Sequence, residues 1–61
     1  MSEEELREKF SVRLDELTHA REYQKAIWKK YGTDPANPKV AGAAKYVERA
    51  QAAYDEIAAQ I

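Results

Sequence analysis

Apolar side chains return every three or four positions along this chain, in two stretches separated by one cluster of helix-breaking residues. In the first stretch, Leu6, Phe10, Leu14, Leu17, Ala20, Ile27, Trp28 and Tyr31 fall within an arc of about 140° when each residue is turned by 100°. The second stretch carries Val40, Ala43, Ala44, Val47, Ala50, Tyr54, Ile57, Ala58 and Ile61. Val40, Val47, Tyr54 and Ile61 recur every seven residues, and Ala43, Ala50 and Ile57 each follow three later. That is the seam pattern of packed helices.

The punctuation agrees with the periodicity. Ser2 and Glu5 have capping-box spacing, and Glu3, Glu4 and Glu5 fill a first turn where the helix dipole favours acids. Nothing breaks the pattern until Gly32, a natural stop after Lys29 and Lys30. Asp34-Pro35 and Asn37-Pro38 are both cap-then-proline pairs. Of the two, Asn37 is the predicted cap, with Asp34-Pro35 making a turn before it. The expectation is one domain over residues 1–61: a helix over about 3–31, a loop over 32–37 and a helix over about 38–60. A connection this short makes the helices antiparallel neighbours. The predicted class is therefore all-α, an antiparallel two-helix hairpin.

Each stripe is broader than one facing helix can cover. Tyr23 and Val12 widen the first, and Tyr46, Ala50, Ala53 and Ile57 widen the second. Chains this short bury only about 60% of the surface they expose when unfolded, and most add disulfides, a metal or a second subunit. The chain has no cysteine and one histidine, so association is the means left. The expectation is a homodimer, an antiparallel four-helix bundle whose self-association surface comprises Phe10, Leu14, Leu17, Tyr23, Ile27, Trp28, Tyr46, Val47, Ala50, Tyr54 and Ile57. Part of the same surface would alternatively accept a helix of another protein. Alanines on the second stripe, with Gly42, predict close approach of a neighbouring backbone. Arg13 and Arg21 are read as edge residues with their charged heads in water, and Gln24 and Gln51 as a candidate pair across the interface.

Charge refines the arrangement. Residues 1–20 carry six acids and three bases, and residues 50–61 carry two acids and no base. Residues 21–49 carry seven bases and three acids. The loop end is thus basic and the open end acidic, which favours an antiparallel dimer.

Candidate chemistry is thin. Asp15 and His19 are four apart, a spacing that can orient an imidazole, but His19 points away from the stripe and has no nucleophile beside it. There is no phosphate-binding glycine loop and no metal-ligand spacing. The reading is a non-enzymatic module with no cofactor and no metal. The second reading is a nucleic-acid-binding regulator that uses Lys25, Lys29, Lys30, Lys39, Lys45 and Arg49 around the loop, with Trp28, Tyr31 and Tyr46 nearby to stack on bases. Trp28 and Tyr31 lie on the core stripe, however, and are predicted to be buried. The acidic N-terminus and the lack of a long apolar run predict a cytoplasmic protein without a membrane span.

Overall fold

The computed structural model describes residues 2–61, which form helix α1, Glu3–Tyr31, and helix α2, Pro38–Ala58. The two pack against each other as an antiparallel hairpin, with no strand among the described residues.

Both ends of α1 and the start of α2 are built from the residues the sequence singles out. Ser2 is extended, and its hydroxyl accepts the Glu5 N–H at 3.2 Å. At the far end of α1 the Gly32 N–H donates to the Trp28 carbonyl at 2.9 Å. Gly32 sits at φ 90° and ψ −167°, outside the left-handed helical region of the common glycine cap and in backbone space that is almost exclusive to glycine. The chain then turns at Asp34, whose carboxylate accepts the Ala36 N–H and whose carbonyl accepts the Asn37 N–H, both at 3.0 Å. Asn37 caps α2, its side-chain oxygen accepting the Lys39 N–H at 2.9 Å, and Pro38 opens the helix where no N–H is required.

α2 ends at Ala58, two residues before the predicted limit. Its last turn has neither a glycine stop nor a basic residue to offset the negative end of the dipole. The N–H groups of Gln60 and Ile61 instead reach back three residues, to Ile57 and Ala58.

The seam between the helices follows a strict 3.5-residue repeat. On α1 the buried and half-buried positions are Leu6, Phe10, Arg13, Leu17, Ala20, Gln24 and Ile27, alternately four and three apart. On α2, Val40, Ala43, Val47, Ala50, Tyr54 and Ile57 form the facing row. The core is in two pieces. Leu17, Ala20 and Ala50 are buried together, with Val47 and Tyr54 against them, and Ile27, Val40 and Ala43 make a second cluster. Gln24 lies on the seam of α1 between these pieces. Large residues meet alanines in both, as interdigitating helices require.

The result is a rod. Its radius of gyration is 13.8 Å, against about 10.5 Å for a compact domain of this length. Its accessible surface is 4733 Å², where a compact monomer of this mass would expose about 4,000 Å².

Candidate self-association surface

A hairpin has two flat faces, one on each side of the seam, and heptad positions assign residues to them. The first face carries Val12, Glu16, His19 and Tyr23 from α1, and Gly42, Tyr46, Arg49 and Ala53 from α2. The opposite face carries Leu14, Arg21 and Trp28 from α1, and Ala44, Gln51, Asp55 and Ala58 from α2.

On the first face Tyr23 and Tyr46 reach across the helices and meet edge to face, with 5.7 Å between ring centroids and 69° between planes. Both remain half outside, at 48% and 44% exposed. Beside Tyr46 lies an open groove of about 320 Å³ lined by Glu16, Arg49, Ala50 and Ala53. α2 presents alanine there, and the Glu16 carboxylate at the rim pairs with Arg13 at 3.0 Å. Val12, also exposed, continues the apolar surface towards the open end.

The opposite face is held by a polar bridge. Arg21 donates from Nη2 to Gln51 Oε1 at 3.1 Å, and Gln51 Nε2 donates to Asp55 at 2.9 Å. Gln51 is therefore a cross-helix partner, of Arg21 rather than of Gln24. The four-residue spacing of Gln51 and Asp55 was a visible signal for half of this bridge; the helix edge on which Arg21 lies supplies the rest. Leu14 and Trp28 flank Arg21 at one heptad on either side, both exposed.

The residues predicted for self-association divide accordingly. Leu17, Ile27, Ala50 and Ile57 are buried, and Phe10, Val47 and Tyr54 are half-buried. Phe10 packs against Tyr54, with 5.2 Å between ring centroids and 47° between planes, so the hairpin itself already uses these side chains. Leu14, Tyr23, Trp28 and Tyr46 remain exposed, and they are the predicted positions a second molecule can reach.

The loop end differs from expectation in one respect. Trp28 and Tyr31 are not buried: they are 40% and 38% exposed. Trp28 sits on the edge of the seam, and Tyr31 lies beyond the last buried pair, Ile27 and Val40, where α2 has only begun. Lys30 and Lys39 lie by the Tyr31 ring, at 5.3 and 6.0 Å from its centroid. Lys25, Lys29, Lys45 and Arg49 are all exposed as well.

Asp15 and His19 are exposed and share no hydrogen bond among the described residues. No group of three or more His, Cys, Asp or Glu side chains could hold a metal among those residues. Gly42 is exposed, and a methyl group added to it would meet nothing within 4 Å. The expected close backbone approach therefore does not occur at Gly42 within one hairpin. No helix is long and apolar enough to cross a membrane. In comparisons with known proteins, no family model matches the chain, and no curated protein or solved structure matches it.

Proposed function

We propose that the chain is a non-enzymatic interaction or assembly module that acts as an antiparallel homodimer, two hairpins stacked into a four-helix bundle. One observation carries this reading. Seven large apolar side chains stay exposed among the described residues, including Val12, Leu14, Tyr23, Trp28 and Tyr46, whereas the buried large ones are only Leu17, Ile27, Val40 and Ile57. Each large apolar side chain left in water forgoes about 1.5–3 kcal/mol relative to full burial. A second copy is the cover that symmetric assembly most commonly supplies. The acidic open end and basic loop end support the antiparallel orientation.

The test is thermal unfolding over a hundredfold range of concentration, followed by circular dichroism. For an obligate dimer the midpoint rises with concentration. A midpoint that does not move would remove the reading.

Tyr31 with Lys30 and Lys39 favours a second reading, the nucleic-acid-binding regulator. An exposed ring with two cations close by offers stacking and phosphate contact together. Retention of a mixed RNA or DNA probe at low salt, lost on Lys30→Glu with Lys39→Glu, would support it.

A further inference from the structure

We propose that the second copy docks on the face carrying Val12, Tyr23 and Tyr46, in a register that seats Val12 of each copy against Tyr23 of the other. This rests on the homodimer reading above and adds the face and the register.

When two hairpins stack face to face with opposite directions, the two-fold axis lies between them and crosses the helices, so α1 runs over its own symmetry mate. The first face of α1 reads Glu5, Lys9, Val12, Glu16, His19, Tyr23, Ala26 and Lys30. An axis crossing between Glu16 and His19 exchanges these positions pairwise. Val12 then faces the second copy's Tyr23, Glu16 faces its His19, Lys9 faces its Ala26, and Glu5 faces its Lys30. Val12 meets an aromatic ring, and the terminal charges meet their opposites. The groove formed by Glu16, Tyr46, Arg49 and Ala53 falls close to the axis, so Arg49 of the two copies approach each other there, and Glu16 of both copies lines the same groove and offsets their charge.

The alternatives fit worse. Stacked in the same direction on this face, α1 lies over the other copy's α2, and Lys30 meets Lys39 at the loop end, twice over. On the opposite face, bringing Leu14 against the other copy's Trp28 places the axis through Arg21 and stacks that guanidinium on itself. Like charges directly opposed are what a specific interface avoids. The area reaches the lower end of what a stable pair needs: a side of 43 by 15 Å projects about 650 Å² before corrugation, and stable pairs take about 600–1,000 Å² from each partner.

The experiment uses chains that each carry one cysteine, mixed in pairs so that only intermolecular disulfides can form. Val12→Cys chains mixed with Tyr23→Cys chains should link under mild oxidation. Val12→Cys with Glu56→Cys reports same-direction stacking on this face, and Leu14→Cys with Trp28→Cys reports the opposite face. A charge exchange serves as the second measurement, free of cysteine. Lys30→Glu alone should weaken the dimer severalfold, and adding Glu5→Lys in the same chain should recover it. Linking of either control pair in preference, or of no pair, overturns the face and register while a dimeric mass leaves the homodimer standing. A monomeric mass of the unaltered chain would remove both.

Discussion

Tyr23 and Tyr46 come from opposite helices and meet edge to face with 5.7 Å between their centroids, yet nearly half of each residue stays exposed to water. Within one copy such a contact is worth about 0.5–1.5 kcal/mol beyond the area it buries. A ring pair that is held rigid by its neighbour and still open on one side is well suited to anchor a partner, since aromatic side chains dominate interface energetics. Tyr23→Ala should therefore raise the dimer dissociation constant about thirtyfold or more, the equivalent of ~2 kcal/mol. Trp28→Ala, on the opposite face, should change it less than about fivefold, the equivalent of ~1 kcal/mol. Dilution calorimetry on the two variants separates them, and equal effects would argue against a single docking face.

One alanine of the core leaves no room for growth. Ala20 is fully enclosed with Leu17 and Ala50, so Ala20→Leu should destabilise the fold by about 1–3 kcal/mol through overpacking. Ala52 lies on the outer side of α2, and Ala52→Leu should be nearly neutral. Urea unfolding of both variants gives the comparison.

Gly32 is held at φ 90° with open space around it, so any penalty for a side chain there comes from the backbone alone. Gly32→Ala should cost about 1–3 kcal/mol, or else the loop must rebuild. The check is the shift in urea midpoint, which should exceed that of a substitution at the unstrained neighbour Thr33.

Most of the fold was legible in the sequence because local chemistry decides it. Ser2, Gly32, the Asp34 turn and the Asn37 cap set the limits of α1 and the start of α2, and each acts through a bond to a residue two to four positions away. The finer placement of the α1 stripe was not. Turning an ideal helix by 100° per residue selects Leu14 and Trp28, but two helices in contact along several heptads follow a 3.5-residue repeat, and the two readings drift apart by about 20° per heptad. Arg13 and Gln24 take seam positions instead, and Leu14 and Trp28 move to the edge. For the same reason the exposed half of the candidate surface could be identified only once the seam was known.

Gln24 gives this drift a consequence. It stands on the seam between the two core clusters, where an apolar side chain would join them. Gln24→Leu should raise stability by about 1–2 kcal/mol. A polar seam residue can also fix register at the expense of stability. The same variant should accordingly show a broader distribution of oligomers by native mass spectrometry than the unaltered chain.

All of these expectations depend on whether one rod with so much apolar surface outside persists alone. Sedimentation equilibrium of the unaltered chain, from high to low micromolar concentration, answers that directly. A homodimer gives about twice the 7.0 kDa chain mass, with dissociation on dilution accompanied by loss of helix. A fully helical species of 7.0 kDa at every concentration would contradict it.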